Sequence, residues 1–480
     1  MEYKNAHFIT VFENITKYFA FLIIPVIRAI MVAGDGFFMW IFNAWIDILI
    51  IFLILVYTVL RWKFNKYAYD KTHISIKKGI FIKRVININF KNISTYTIKR
   101  QFLYKPFGAV QILIDTDGGV YGKSDAKIII SKKDSLHFMK HLNKTICQQG
   151  QKSSFIKSYK CQTKYLVLIS ALMSNTFIGI VFTAVFINKS GQIIGTELQN
   201  KFIGMVTSVG QGLFAGISPL AAFIAYSLIG GWLVGAIYNI ILMSSFIVKR
   251  YSKTLTVSRG VFTNHDFLIS TKKINFVSIK QTLMTKILRI YSIYIQSAGY
   301  SSKKEKFDLI VPAITKKEFK TTNRMLLDEF TFCDGKLKPK KSSFYRYLYL
   351  PIFYLAIITP VFFVLKEFFQ NWSELINFIY IMGLILGSWF LILRIVSFFT
   401  ASCNCEKGTV EMCYPKKLKI NKTFILKEKI VMYRLKENIF QTKKQICDFT
   451  VYSYGETKCT HKVKSLNKND VIKLFYLPVN

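Results

Sequence analysis

The 480-residue chain contains no nucleotide-binding glycine loop, no metal-ligand motif and no nucleophile motif. With no catalytic constellation to build on, the expectation is a protein that is not an enzyme and uses no cofactor. Its eight cysteines fall at positions 147, 161, 333, 403, 405, 413, 447 and 459. Cys403, Cys405, Cys413 and His461 lack the spacing of about two to four residues that zinc sites use. His137 and His141 lie four residues apart on a helical segment, but no acid follows Asp134 there. No metal site is therefore expected. A cleaved leader is not expected either, because the first apolar stretch, from Tyr18, follows a mixed polar segment containing Glu13. Acids are scarce: 26 Asp+Glu stand against 66 Lys+Arg, for a formal charge of +40. Such an excess suits nucleic acid or an anionic membrane. Nucleic acid is set aside because the charge is split into three blocks, none carrying a recognised nucleic-acid motif.

What the chain has in abundance is apolar sequence, 52% of it. The windows Trp40 to Leu60, Tyr165 to Ile187 and Leu375 to Phe399 each reach the roughly 20 residues that cross a ~30 Å hydrocarbon core. Residues 61–164, 249–346 and 400–480 between and after the spans carry basic excesses of 17, 14 and 9. Clusters directly after spans, such as Arg61, Lys63, Lys66 and Lys249, Arg250, Lys253, place these segments in the cytoplasm. All eight cysteines then lie in a reducing compartment as free thiols. The expected protein is multi-pass in a bacterial cell membrane with both termini inside. Spans are paired at about 18–32 with 40–60 and about 347–365 with 375–399. In the middle region, Phe202 to Val248 is long enough for two spans; its glycine-rich first part is read as amphipathic or re-entrant, before one span from about Ala222 to Val248.

A repeat organises the rest. Residues 71–118 align without gaps on 252–299 at an offset of 181: Gly79 on Gly260, Phe81 on Phe262, Ile98-Lys99 on Ile279-Lys280, Lys105 on Lys286, Gly118 on Gly299. A further offset of 156 aligns Ile274, Ile279-Lys280 and Gly299 with Ile430, Leu435-Lys436 and Gly455, with Lys416 in place of the turn glycine. Alternation in His73 to Ile76, a Lys77-Lys78-Gly79 turn and Ile80 to Ile82 predict a hairpin, repeated around Ser258-Arg259-Gly260. Each copy closes on a helix: Asp134 capping Ser135 to Lys144, Thr315 capping Lys316 to Phe330 in a box with Glu318, and Asn467 starting a helix through Leu474.

Paired spans followed by a "basic-basic-Gly-hydrophobic-Phe" turn, an Ile-Lys step, an alternating strand and a terminal helix resemble the bacterial pleckstrin-homology-like membrane proteins of the YdbS/YdbT type. The tandem layout is similar to the longer, YdbT-like members. The resemblance implies membrane α-helical hairpins alternating with three β-rich PH-like domains, each a seven-strand, partly open barrel plus a C-terminal helix. The boundaries are hairpin 1–62, domain 63–150, membrane region 160–250, domain 251–335, hairpin 345–400 and a diverged third domain 401–480. It also implies immunity or tolerance to a cationic bacteriocin, as relatives of this tandem type encoded beside small bacteriocins provide. The alternatives are a non-catalytic scaffold binding anionic lipid or a shorter protein of the same family, and a transporter subunit.

Candidate residues follow from the chemistry. Lys77, Lys78, Lys83, Arg84, Lys99, Arg100 and Lys105, with Arg259, Lys280, Lys286 and Arg289, are expected to meet anionic head groups or a partner, each contributing roughly 1 kcal/mol near a charged leaflet. Arg28 and Asp47, at matching depth on two arms of the first hairpin, are expected to form an intramembrane ion pair. Arg394 is expected to snorkel. Gly231 with Gly235 and Gly383 with Gly387 have the spacing that lets helices pack closely.

Overall fold

Alternation puts Ile74, Ile76 and Ile88 on one face of a strand pair, and all three are buried. The computed structural model describes residues 3–17, 45–118, 124–146, 155–172, 219–261, 263–297, 309–332, 335–454 and 458–475, with isolated residues at 197, 201 and 204. It arranges them as three successive β units. Unit 1 begins with β1 (Lys4–Asn5), α1 (Thr10–Lys17) and α2 (Trp45–Lys63). Its strands are β2 (Lys66–Tyr69), β3 (His73–Lys78), β4 (Arg84–Asn89), β5 (Ile93–Arg100), β6 (Ala109–Thr116) and β7 (Ala126–Ser131), closed by α3 (Lys132–Ile146). Unit 2 repeats the order. It runs β8 (Phe155–Lys160), α4 (Thr163–Leu172), α5 (Pro219–Met243), β9 (Ile247–Tyr251), β10 (Thr254–Arg259), β11 (Asn264–Ser270) and β12 (Ile274–Gln281). There follow the short α6 (Leu283–Ile287), β13 (Ile290–Ser297), β14 (Leu309–Thr315) and α7 (Lys316–Leu326).

Unit 3 hangs from α8 (Tyr345–Phe368) and α9 (Ser373–Thr400). Its strands are β15 (Ser402–Glu406), β16 (Thr409–Lys416), β17 (Lys419–Leu426) and β18 (Ile430–Lys436), then, after α10 (Ile439–Lys443), β19 (Ile446–Tyr454) and β20 (Lys458–Asn467), with α11 (Lys468–Phe475) at the end. The offset of 181 carries β3, β5 and β6 onto β10, β12 and β13 end for end, and the offset of 156 carries α6 onto α10.

In each unit the segments entering and leaving the helices lie side by side. Asn5 pairs with Lys66, Lys160 with Ile247, and Leu337 bridges Cys403. Among the described residues unit 1 thus holds seven strands, β1–β4 in one sheet and β5–β7 in another, but its first strand precedes the helices.

The units are joined through their sheets. β5 of unit 1 pairs with β11 of unit 2, giving the order β7-β6-β5-β11-β10-β9-β8. β12 of unit 2 pairs in turn with β17 of unit 3, giving β14-β13-β12-β17-β16-β15. The two junctions share one register: Lys99 opposes His265 and Lys280 opposes Asn421, partners related by the same repeat offsets. Separate apolar cores sit inside the units, around Ile76, Phe90 and Phe138 in the first, Val277, Ile293 and Ile310 in the second, and Phe449, Val451 and Val463 in the third.

Lys341–Phe368 and Ile376–Thr400 are long and apolar enough to cross a membrane, and only 6% and 17% of their apolar windows are buried in the protein. Such outward apolar faces suit lipid. Where these helices meet, a Cβ added to Gly383 would lie 2.2 Å from Ile358 Cδ1, and one on Gly387 2.4 Å from Leu355 Cδ2. Gly231 and Gly235 are buried in α5, which packs on α4.

Several local expectations need correction. Ile80 to Ile82 form no strand; they sit in the loop between β3 and β4, where Gly79 at φ 114° turns the chain away from the ladder. Unit 3 dispenses with the glycine because its turn is shorter, with Lys416 opposite Lys419 and Lys417 itself at φ 55°. α3 starts at Lys132, so Asp134 lies in its first turn; Ser131 Oγ accepts the Asp134 N–H at 3.1 Å instead. Thr315 precedes α7 without a side-chain cap bond, Glu318 accepts from Gln162 Nε2 at 3.1 Å, and the helix ends at Leu326. α5 ends at Met243, since Ile247 onward is already strand. Of the expected Arg28–Asp47 pair, Arg28 lies outside the described residues.

Candidate functional site

The β3–β4 loop reads Gly-Ile-Phe-Ile-Lys, an apolar run between Lys77-Lys78 and Lys83-Arg84. It cannot fold inward, because β3 and β4 already fill the core with Ile74, Ile76 and Ile88. Phe81 is consequently 92% exposed and Ile82 73%. The loop stands at the foot of α2. A cleft of about 480 Å³ is lined by Tyr57 and Arg61 from the last turns of that helix, by Gly79 to Ile82, and by Glu13, Lys78, Arg84 and Lys127. Lys127 Nζ pairs with Glu13 across it, and Lys78 Nζ donates to the Lys127 carbonyl at 2.5 Å. Lys77 Nζ lies 3.8 Å from the centre of the Tyr3 ring.

The corresponding turn sits at the helix foot in the other units too. In unit 2 the Gly260 N–H donates to the Ser244 carbonyl, just past the end of α5, at 2.9 Å. In unit 3, Pro415 and Lys416 share a pocket of about 160 Å³ with Tyr347 and Leu350 of α8 and Arg394 of α9. Apolar side chains project here again: Val261 and Leu418 on the turns, Ile287 on α6, and Ile439 and Phe440 on α10, the last two each 78% exposed. One end of every unit therefore presents apolar tips with basic residues around them. That is the composition of a surface able to enter the headgroup region, where apolar side chains are buried and cations meet anionic lipid.

The eleven candidate cations divide on this frame. Lys83 and Arg84 are exposed beside the tip, with Lys77 and Lys78 behind them. Lys99 and Arg259 are buried where unit 1 meets unit 2, 9% and 6% exposed, and this removes them from the surface set. Burial, reinforced by Lys127 and Arg259, lowers Lys99 to about 8; burial with Arg259 and Lys99 lowers the facing His265 to about 3. Arg100 bridges to Asp266 at 2.8 Å, and Lys105 Nζ reaches the Val261 carbonyl at 3.3 Å. These two hold the junction. Lys280 Nζ sits over the Tyr294 ring at 3.8 Å, Lys286 is lowered by burial, and Arg289 occupies a tight turn at φ 55°. Arg250, read as an anchoring cation, is also buried: it donates to Glu329 Oε1 at 2.7 Å, Asp328 Oδ1 at 3.0 Å and the Leu326 carbonyl at 2.9 Å.

His461 is buried between Tyr414 and Ser453, both 2.8 Å from its ring nitrogens, and burial lowers it to about 3. It serves the core of unit 3. No group of three or more His, Cys, Asp or Glu able to hold a metal occurs among the described residues. Sequence reasoning missed the apolar tips because it read Ile80 to Ile82 as a strand; the signal was an uninterrupted apolar triplet flanked by four cations.

No solved structure matches the chain. A relative, the UPF0699 transmembrane protein YdbT of Bacillus subtilis (strain 168), is 22% identical over 341 residues, covering 66% of this chain and 66% of its own length. The model of the bacterial PH domain matches twice, over residues 19–145 and 202–329, more than half of the chain. With two matches in tandem over more than half of its length, and a transmembrane relative, the chain belongs to the bacterial PH domain family.

Proposed function

We propose that this is a non-catalytic, multi-pass membrane protein whose three PH-like units lie against the inner leaflet and give tolerance to a cationic, membrane-active peptide. The observation that carries the lipid-facing reading is the recurrence of apolar, cation-flanked turns at the feet of the helices in all three units. Unit 3 lies outside the two family matches; its element-for-element correspondence supports reading it as a diverged third copy. Adjacent chain segments at the entrance and exit of each helical region, paired strands in units 1 and 2 and a single bridge in unit 3, support an even number of crossings in every one. All three units then share one side, and the basic excess makes that side the cytoplasm. Membership of the bacterial PH domain family supports the non-catalytic reading.

Tolerance would arise because the units gather anionic head groups and alter the surface that a cationic peptide meets. The test is expression of the full chain, alone and with a shorter family member, in cells challenged with a panel of bacteriocins. Replacing Lys77, Lys78, Lys83 and Arg84 by Gln should weaken protection partially, since each cation contributes only roughly 1 kcal/mol. Unchanged susceptibility across the panel despite confirmed insertion would leave the scaffold reading in its place. Recovery of cleaved or modified peptide would overturn the non-catalytic reading.

A further inference from the structure

The junctions between units consume one strand edge from each partner. Unit 1 offers β5 and unit 2 offers β11; unit 2 then offers β12 and unit 3 offers β17. Two equivalent edges remain. β4, the counterpart of β11 and β17, ends the sheet β1-β2-β3-β4, and β18, the counterpart of β5 and β12, ends the sheet β18-β19-β20; among the described residues neither has a second strand neighbour. From this geometry we infer that β18 of one chain pairs antiparallel with β4 of a second copy of the same chain, extending the array head to tail.

Burial separates the used edges from the open ones. Every residue of β5 but the last is buried, and so are the first six of β12, whereas no residue of β18 is. Val431 of β18 is 52% exposed, while its counterparts Ser94 and Asn275 are buried. Val85 of β4 is 54% exposed. Neither strand has a proline to block pairing.

The shared register of the two internal junctions also fixes the third. Applying the repeat offsets places Leu435 opposite Val85, Met432 opposite Ile88, and Tyr433 opposite Asn87. Lys436 falls opposite Arg84, a like-charge pair that weakens the contact, and Glu437 opposite Lys83, which offsets it. The interface is heterologous, so it propagates as an open row or a closed ring rather than stopping at a two-fold dimer. The turns of all three units sit at helix feet, so the step from unit to unit runs along the membrane plane. A second chain added by the same step keeps its helices in the same bilayer.

The experiment uses full-length chains in membranes, with Val85→Cys on one tagged copy and Leu435→Cys on a differently tagged copy, co-expressed and oxidised. The wild-type chain with its native cysteines is the control. Directly opposed positions lie about 4.5–5.5 Å apart at Cβ, within reach of a disulfide. The expected result is a mixed dimer from the two single variants and a ladder of higher species when one chain carries both. In parallel, Val85→Lys and Val431→Lys, both at exposed positions, should reduce the detergent-solubilised particle to one chain. The inference is overturned by absence of the mixed product, by a Val85→Cys chain linking only to itself, or by a wild-type particle of one-chain mass.

Discussion

Arg346 joins the α8–α9 hairpin to its β unit, and the consequence of removing it can be worked from the geometry. Its Nη1 and Nη2 donate to Asp448 Oδ1 at 2.7 Å and Oδ2 at 3.1 Å, and Nη1 also reaches Ser465 Oγ at 2.8 Å. The Asp448 side chain is only 6% exposed. It accepts further bonds from Gln441 Nε2 and the Ser465 N–H, each at 3.1 Å, and pairs with Lys462 at 3.1 Å. Losing one partner of a buried ion pair costs roughly 3–5 kcal/mol. In Arg346→Leu, Lys462 still compensates part of the charge, which puts the cost at the lower end, about 3 kcal/mol. Asp448→Asn keeps the shape and an accepting oxygen but loses the charge, for about 2 kcal/mol. The double change removes the shared interaction once, so its cost should fall short of the sum by about 1–2 kcal/mol. Thermal unfolding of the detergent-solubilised chain provides the assay, at roughly 2–4 °C per kcal/mol for a cooperative block of about 150–250 residues, unit 3 with its helices and the sheet it shares with unit 2. Arg346→Leu is expected to lower the transition containing unit 3 by roughly 6–12 °C. Strict additivity of the two single changes would refute the coupling, and an unchanged Arg346→Leu midpoint would refute the anchor itself.

The same carboxylate sets a pH dependence. Burial opposes its charge, but the bonds from Arg346 and Lys462 outweigh burial and hold it below the usual range, so its contribution is complete above about pH 4 and lost as pH falls through the lowered value; acid titration of Asp448→Asn should show a shallower loss than wild type. Gly79→Ala places a Cβ 1.9 Å from the Ile82 carbonyl oxygen at φ 114°, whereas Gly108→Ala at φ 61° meets nothing within 4 Å. The first should therefore destabilise unit 1 by about 1–3 kcal/mol and the second by about 1 kcal/mol, read as the difference in unfolding midpoint. Gly383→Leu drives a side chain into Ile358 across the α8–α9 contact; monodisperse protein recovered in detergent should fall several-fold, with Gly383→Ala intermediate.

The element order was legible in the sequence because the repeat aligned glycine on glycine and alternation on alternation. His73 to Ile76 became a strand as expected, and the terminal helices appeared in all three units with ends shifted by a few residues. Period-two alternation identifies the buried face of a strand but says nothing about which strand lies beside it, since every residue brings the same N–H and C=O to an edge. The β5–β11 and β12–β17 junctions were invisible for that reason. The error in the charges had the same origin. Lys99, Arg100 and Lys105 look like surface cations in a tethered basic domain, and only the neighbouring unit shows that the first is buried and the other two reach Asp266 and Val261.

On the proposed lipid-facing reading, continuous sheets change what three weak membrane contacts could do. Were the units joined by flexible linkers, each tip would enter the headgroup region independently, and each would bring only the few kcal/mol that several cations and one or two apolar side chains supply. Fixed by shared ladders at one repeated register, the three turns would, on the proposed reading, meet the leaflet together, and the ordering cost would fall once rather than three times. This explains why the junction holds charges that a lipid-binding surface would otherwise use. Arg100 and Lys105 are engaged by Asp266 and the Val261 carbonyl at the junction, where they set the spacing of the tips. It also explains how unit 3 diverges so far in sequence, trading Gly79's counterpart for Lys416, while keeping β17 in the register of β11. The backbone ladder preserves the position of the turn, and the residues on it are left free to change.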